Sequence, residues 1–262
     1  MGIVSQAAVS SQPRTIVEAT CGICAGKYAL DSKGSYREGA LCTHCGSSGR
    51  SQSIAYALTH YVFRQEAALN NLDKQKRLKI VGLSDGPAYA KTLAKKCDYT
   101  NTYYHTEPFL DITKPSRKNL GAYDALISAD VFEHVLAAPS HAFKGAYDIL
   151  KPGGHLILTV PFINLGPHKE HYPGLVDYTS EERSDGTWVA HLVYPGGRQV
   201  TEENPCFHGG PGKTLEVRLF NRERIEEELA WAGFETVHIH VDNMPERGMN
   251  WNTASRLIVA QK

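Results

Sequence analysis

Apolar and polar positions in the middle of the chain predict a strand, a helix and a second strand in succession. Residues 122–128 form an apolar run that ends in polar residues, which is typical of a strand buried on both faces of a parallel sheet. The helix that follows has one apolar face, at Phe143, Ala146, Tyr147 and Leu150. The sequence KPGG then ends the helix, and residues 155–160 form another apolar run. This is the pattern of a βαβ unit, and ligands of such sheets bind outside the carboxyl ends of the strands.

Further elements extend this unit into a larger sheet. Strands are predicted at residues 78–83, 98–104, 235–241 and 255–260, and helices at residues 51–69, 88–96 and 219–231. Residues 163–215 lack clear periodicity and contain many glycine, proline, histidine and aromatic residues. A segment of this length inside a compact domain is usually functional. The pattern predicts an α/β fold with helices on both faces of the sheet.

Four of the six cysteines form two C-x-x-C pairs near the N-terminus. Cys21 pairs with Cys24 and Cys42 with Cys45, and 17 residues separate the pairs. This spacing is typical of a four-cysteine zinc ribbon, because each pair forms a tight turn that directs two thiolates to one point. Such a small module cannot bury enough apolar area by itself, so a structural zinc ion would supply much of its folding free energy. The alternative is a pair of reduced turns without metal.

Charge and hydropathy limit the classes of partner. Lys plus Arg and Asp plus Glu both number 28, so the formal net charge is zero and there is no overall basic field to attract nucleic acid. We find no secretion signal and no apolar run of membrane-spanning length, so we expect a cytoplasmic protein. We divide the chain into a zinc-ribbon-like module (residues 1–50), a linking helix and boundary (51–77) and a main domain (78–262).

The turn after the first strand of the main domain is a candidate ligand loop. Gly82, Ser84 and Gly86 join that strand to a helix, where backbone N–H groups often hold a nucleotide-like ligand. The same turn fits the G-x-S-x-G nucleophile elbow of α/β hydrolases. However, the glycine-rich segment that resembles an oxyanion loop, residues 208–212, follows the turn when it should precede it. We therefore rank the hydrolase interpretation well below ligand binding.

A second group of candidate residues lies beyond the strand at residues 122–128. Asp130, Glu133 and His134 fall just past its end. Four histidines lie in the long segment that follows: His168, His171, His191 and His208. Each could be an ordinary surface histidine, and Glu133 and His134 could be a helix-start carboxylate beside a packing histidine. As a set near a predicted ligand site, at least one of these histidines is expected to meet a substrate.

The segments SADVFEHV and ILKPGGHLILTVPF, at this spacing, resemble the middle of a class I S-adenosylmethionine-dependent methyltransferase. In that family an acidic D-x-x-EH segment follows the fourth strand, and LKPGG precedes the fifth. The resemblance covers about residues 78–262 and implies a Rossmann-like sheet whose final strand is antiparallel. It also implies S-adenosylmethionine as cofactor and a substrate-covering insert at residues 163–215.

The resemblance also implies a set of cofactor-binding residues: Gly82, Ser84, Asp85, Gly86, Tyr104, Asp111, Asp130 and Val131. The first motif of the family is commonly G-x-G-x-G, and here Ser84 replaces the middle glycine. The carboxylate that usually binds the ribose at the end of the second strand is unassigned, and Tyr104 could border the ribose or adenine instead. Asp111 matches the third-strand Asp that contacts the adenine amino group, with a turn residue as the alternative.

The reaction implied is in-line transfer of the sulfonium methyl group to a small polar acceptor, such as a hydroxyl of a sugar or secondary metabolite. A hydroxyl acceptor needs a base, for which His134 is the first candidate, followed by His168, His171 and His208. Glu133 is expected to orient the acceptor or to hold a divalent ion. Two alternatives stay open: a ribosomal or transfer RNA methyltransferase, and a methyltransferase-fold binding protein without catalysis.

Overall fold

The computed structural model describes residues 15–34, 37–38, 41–163, 165–208, 214–249 and 255–262. The Ser/Gln/Ala-rich N-terminal segment and all but the first residue of the oxyanion-like loop lie outside the described residues. Within the described ranges, no helix combines the length and the apolar character needed to cross a lipid bilayer.

The N-terminal part is a hairpin followed by a helix. Its elements are β1 (Ile16–Thr20), β2 (Lys27–Asp31) and α1 (Gly49–Ala57), followed by a π-helical segment (Leu58–Phe63) and a 3-10 turn (Leu69–Asn71). The Ser48 side chain caps α1 by accepting a hydrogen bond from the backbone N–H of Ser51. Arg64 has a φ of 54°, and this left-handed residue ends the helix several residues before the predicted end at residue 69.

The main domain begins with β3 (Gln75–Leu83), α2 (Pro87–Lys96), β4 (Cys97–Thr102), β5 (Tyr123–Ala129), α3 (Pro139–Ile149) and β6 (Leu150–Ile163). The insert adds β7 (Lys169–Glu170), β8 (Asp177–Glu182), β9 (Trp188–Val193), β10 (Gln199–Glu202), β11 (Phe207–His208) and β12 (Thr214–Leu215). The chain closes with β13 (Arg218–Asn221), α4 (Arg222–Ala232), β14 (Thr236–His240) and β15 (Ser255–Gln261). Short 3-10 turns lie at Arg117–Asn119, Phe132–His134, Pro195–Gly197 and Pro245–Arg247.

The central sheet has the strand order β14-β15-β6-β5-β3-β4. The pairs β3–β4, β3–β5 and β5–β6 are parallel, whereas β15 runs antiparallel to both β6 and β14. The predicted Rossmann-like α/β fold with an antiparallel last strand is therefore confirmed. The parallel strands bring the residues that follow β3, β4 and β5 to one edge of the sheet.

Alternate residues of the central strands enter two different cores, because successive side chains of a strand point to opposite faces. In β5, Leu126 packs with the core that contains α3 and α4, whereas Ala125 and Ile127 pack on the other face. The second core also takes in Tyr28 and Leu30 of the N-terminal hairpin. The apolar packing therefore runs without a break across the predicted boundaries at residues 50 and 77.

Two features of the main domain differ from expectation. The segment around Asp111 forms no strand: Phe109 makes one isolated bridge to Tyr103, and the Asp111 side chain accepts hydrogen bonds from Thr113, which turns the chain. The insert contains a three-stranded antiparallel sheet, β10-β9-β8, that periodicity did not reveal. Strand β8 (DYTSEE) is polar on both faces, so the alternation that marks a half-buried strand is missing.

Candidate active site

The loop after β3 keeps the shape that a glycine-rich motif would give it. Ser84 occupies the position of the middle glycine and has a φ of 55°, a left-handed conformation that glycine adopts most easily. Its backbone N–H donates to the carbonyl of Thr102 at 2.8 Å, which holds the loop against the end of β4. A Cβ atom at Gly86 would meet nothing within 4 Å, so there is open space in front of the loop.

The side chain of Asp85 points inward and lies against Gly82. Its two carboxylate oxygens accept hydrogen bonds from the hydroxyls of Tyr89 and Tyr99, each at 2.8 Å. A Cβ atom at Gly82 would collide with this carboxylate, so only glycine fits there. Burial raises the pKa of Asp85 to about 7, against the effect of the two tyrosine hydrogen bonds. Through these contacts, Asp85 holds the loop in place.

Asp130, at the end of β5, connects the sheet to the N-terminal module. It has a φ of 55°, is buried, and accepts a hydrogen bond from the hydroxyl of Thr159 at 2.9 Å. Arg50 binds its other oxygen at 2.8 Å, and Arg37 binds the same oxygen. Glu38 in turn binds both arginines at 2.8 Å. The module with the paired cysteines thus reaches the edge of the sheet where a cofactor is expected.

The buried Glu133 and the partly buried His134 and His208 form a cluster beside Asp130. The Glu133 side chain has no exposed surface, and its Oε1 lies 3.1 Å from Nδ1 of His208 and 3.7 Å from Nε2 of His134. Neither carboxylate oxygen has a hydrogen bond of good geometry, although the 3.1 Å contact brings the two charges together. The Nδ1 of His134 faces the carbonyl oxygen of Leu215 at 2.9 Å, so we assign the proton to Nδ1 and the lone pair to Nε2.

Burial and pairing act differently on these three groups. Burial raises the pKa of Glu133 to about 7. The Glu133 carboxylate raises the pKa of His208 above its ordinary value, whereas burial lowers the pKa of His134. Because Glu133 and His208 are in contact, the titration of each group depends on the charge of the other. One carboxylate oxygen and two ring nitrogens at these distances could also hold a metal ion.

Arg218 fixes the turn that carries Glu133. Its guanidinium is buried and donates hydrogen bonds to the carbonyls of Phe132, Val135 and Ala137 at 3.2, 2.6 and 3.1 Å. It also binds Glu170 of β7 at 2.9 Å, so one side chain joins the turn to the insert. Sequence reasoning missed this residue, as it missed Arg37 and Arg50, because an arginine in a strand or loop carries no local pattern.

The other predicted histidines bind partners outside this cluster. His168 contacts Glu170 at 2.8 Å, and His171 contacts Glu216 at 3.5 Å. Tyr104 is exposed beyond β4, with its ring near those of His105 and Phe109. Asp111 lies in the turn described above, and Val131 is partly buried next to Asp130. The cofactor roles of Tyr104, Asp111 and Val131 stay predictions.

The four cysteine thiols meet at one point, as their spacing predicts. The sulfur atoms of Cys21 and Cys45 lie 3.7 Å apart, as do those of Cys24 and Cys42, and all four lie within 4.8 Å of one another. The Gln52 amide donates to the sulfur of Cys21 at 3.0 Å. Burial opposes ionisation of Cys21, but hydrogen bonds from the backbone and from Gln52 lower its pKa to about 6. The cluster is therefore arranged to present sulfur ligands to a metal.

A pocket of about 480 Å³ lies elsewhere on the molecule, along the edge strand β14. Its lining includes Tyr56, His238, His240 and Met244, and it contains none of the residues predicted for the cofactor or for catalysis. We therefore place the candidate site at the carboxyl edge of the sheet, at the cluster of Glu133, His134 and His208.

A family match agrees with this fold. Residues 65–158 match the family model described as "Methyltransferase domain". No curated protein matches the chain. Among solved structures, the SAM-bound amino pentose methyltransferase CalS10 from Micromonospora echinaspora is 17% identical, with 82% of this chain and 92% of that chain covered and a TM-score of 0.44. The didemethyltoxoflavin N1-methyltransferase of Burkholderia thailandensis is 12% identical, with 82% and 78% covered and a TM-score of 0.45.

The citrinin polyketide synthase CMeT domain is 14% identical, with a TM-score of 0.45; 80% of this chain is covered, and the chain spans about half the length of that protein. The assignment rests on the family match, which covers the loop after β3, Asp130 and Glu133. Residues 65–158 are thus similar to a methyltransferase domain, and the chain folds into a Rossmann-like sheet.

Proposed function

We propose that this protein transfers the methyl group of S-adenosylmethionine to a hydroxyl of a small polar acceptor, such as a sugar or secondary metabolite. The observation that carries this proposal is the 3.1 Å contact between the buried Glu133 and His208, beside the end of β5. His208 comes from the insert, so the proposed base and the segment expected to cover the substrate belong to the same part of the chain. The sequence ranked His134 first as the catalytic base. We assign that role to His208 instead, because His208 lies closer to Glu133.

In this mechanism His208 accepts the proton of the acceptor hydroxyl. Its Nδ1 faces Glu133, and its Nε2 lies 3.6 Å from Asp130, too far for a hydrogen bond, so Nε2 is the atom left to receive that proton. Glu133 stabilises the imidazolium that forms, because a buried carboxylate next to a positive charge is favourable. His134, kept neutral by burial and held by the carbonyl of Leu215, directs its free Nε2 to the same cluster.

The loop after β3 fits the cofactor. Its left-handed Ser84, the open space at Gly86 and the uncapped backbone N–H groups at the start of α2 form a concave edge for a polar ligand. When bound there, S-adenosylmethionine would supply an electrophilic methyl group on a sulfonium centre. The chain's own part is to align the acceptor and to exclude water, which are the usual sources of rate in such displacements.

We include a structural zinc ion at Cys21, Cys24, Cys42 and Cys45 in this proposal. A tetrahedral site with Zn–S bonds of about 2.3 Å has edges of about 3.8 Å. The sulfur–sulfur distances of 3.7 Å in the pairs Cys21–Cys45 and Cys24–Cys42 agree with that value. Reduced thiolates of this kind are typical of proteins of the cytoplasm, where we expect this protein to act.

Calorimetric titration of the zinc-loaded protein with S-adenosylmethionine and S-adenosylhomocysteine tests the cofactor. We expect binding of both, and no heat with either would overturn the assignment of the loop at residues 82–86. Methyl transfer from labelled cofactor to a panel of sugars and polar phenols then tests the base. His208→Ala should lower the rate by about 10²- to 10⁴-fold without weakening cofactor binding.

The matched control for that variant is His191→Ala, which removes a more exposed histidine of the insert paired with Glu181. We expect its rate to stay within about twofold of the unmodified protein. Equal losses in both variants, or a full rate in His208→Ala, would contradict the proposed role of His208.

A further inference from the structure

The insert contains a second group of metal-ligand side chains, apart from the cysteine cluster and from Glu133. His171 follows β7, Cys206 precedes β11 and Glu216 follows β12, so three separate segments converge. A ring nitrogen, a sulfur and a carboxylate oxygen of these residues lie within 4.8 Å of one another. This donor set is one that zinc and related transition metals bind well.

Hydrogen bonds fix the backbone of all three residues. The N–H of His171 donates to the carbonyl of Val217 at 2.8 Å, and the N–H of Glu216 donates to the carbonyl of Cys206 at 2.8 Å. The N–H of Cys206 donates to the hydroxyl of Tyr172, again at 2.8 Å. The three Cα positions are therefore set by neighbouring strands, independently of what the side chains do.

The side-chain atoms, in contrast, are spaced like ligands around an ion. The Oε1 of Glu216 lies 3.5 Å from Nε2 of His171 and 3.5 Å from the sulfur of Cys206. With metal–ligand bonds of about 2.0–2.3 Å, a tetrahedral site has nitrogen–oxygen and sulfur–oxygen edges of about 3.4–3.6 Å. The Nε2 of His171 is buried and has no hydrogen-bond partner. A direct hydrogen bond between His171 and Glu216 would be shorter than the observed contact.

We propose that His171, Cys206 and Glu216 form a second transition-metal site, which takes zinc and leaves the fourth tetrahedral position to water. The Cys206 thiol and the His171 ring each contact Glu216, and metal binding would replace these two contacts with three metal–ligand bonds. The thiol proton is released to solvent in that exchange, so there is no change in oxidation state.

The proposed metal site lies next to the segments that carry His208 and Glu133 of the proposed active site. Cys206 stands two residues before His208, which ends β11. The N–H of Val217, next to Glu216, donates to the carbonyl of Glu133 at 3.0 Å. A metal ion here would join the strand that carries His208 to the turn that carries Glu133. This consequence rests on the proposed function, whereas metal binding itself does not.

Metal counting on the full-length protein tests the site. We would load the protein with zinc, remove loosely bound metal on a desalting column and measure zinc by mass spectrometry. We expect two equivalents in the unmodified protein, and one in Cys206→Ala and in Glu216→Gln. His191→Ala, from the neighbouring pair with Glu181, should keep two equivalents.

His208→Ala separates this site from the cluster around Glu133. We expect it to retain two equivalents; a second equivalent that is lost in His208→Ala and kept in Cys206→Ala would overturn the proposal. A single equivalent in the unmodified protein would also overturn it, because the cysteine cluster accounts for that ion. His171→Asn repeats the test where Cys206→Ala does not fold, and circular dichroism checks each variant. Because the readout is stoichiometry, its failure is distinct from any failure of methyl transfer.

Discussion

The N-terminal module and the insert are both small β structures, but they are held to the main sheet by different forces. Apolar residues of the module, such as Tyr28 and Leu30, belong to the same core as one face of the sheet. The insert has a core of its own, built around Tyr172 and Leu192. Its links to the carboxyl edge of the central sheet include the ion pair of Glu170 with Arg218 and the hydrogen bond from His134 to the carbonyl of Leu215. The comparison indicates that the module is part of the folding unit, whereas the insert is an attached part whose position depends on directional bonds.

Loss of the proposed zinc ion from the cysteine cluster should have the largest effect. Because the module shares a core with the sheet, a chelator or Cys42→Ser is expected to lower the melting temperature of the whole chain by more than about 10 °C. Differential scanning calorimetry with and without chelator measures this. A separate low-temperature transition, with the main transition unchanged, would show that the module folds independently.

Arg218→Met should be the most damaging single change to the link between the insert and the turn at Glu133. It leaves three buried carbonyls without their donor and Glu170 with only His168 as partner, at a cost of about 2–4 kcal/mol in the free energy of unfolding. Urea denaturation provides the value. Arg222→Met is the control, because its exposed pair with Glu226 should contribute less than about 0.5 kcal/mol. Similar costs for both variants would contradict the anchoring role.

Asp130 is the residue at which both regions meet, since it contacts Arg37 and Arg50 of the module and His208 of the insert. Arg50→Met should cost about 1–2 kcal/mol, because a buried carboxylate keeps only one of its two arginines. Measured in a Glu133→Gln background, where the closer contact of His208 no longer involves a carboxylate, His208→Ala should cost less than about 1 kcal/mol in stability, since its contact with Asp130 is long. The reverse order in urea denaturation would mean that the insert, and not the module, balances the charge of Asp130.

The smallest effect concerns the titration of His208. Its pKa is raised by Glu133, so its neutral form, which can act as a base, is reached only as the pH rises above about 6.5. Glu133→Gln removes the carboxylate and should lower this pKa. NMR titration of labelled histidine rings, with His208→Ala for assignment, gives the value without any acceptor. An unchanged pKa would mean that the 3.1 Å contact carries little interaction.

Local patterns were sufficient for the strands of the central sheet, most helices and the cysteine cluster. The run at residues 122–128 and the C-x-x-C pairs are signals contained within a few residues, and the structure has them where they were predicted. The polar strand β8 and the turn at Asp111 were not predicted correctly. Strand β8 is polar and lacks the apolar alternation on which strand prediction depends. At Asp111, a side-chain hydrogen bond turns the chain where a strand was expected.

The sequence by itself determined the sheet, the methyltransferase-like segment around Glu133 and the spacing of the four cysteines, because periodicity and motif spacing act over short distances along the chain. It offered several histidines as the base and could not choose among them. Only the tertiary structure decided that His208 lies against Glu133, 75 positions earlier in the chain, and that Arg50 reaches Asp130. Such contacts depend on how whole elements pack, and burial then makes each charge pair strong enough to change a pKa.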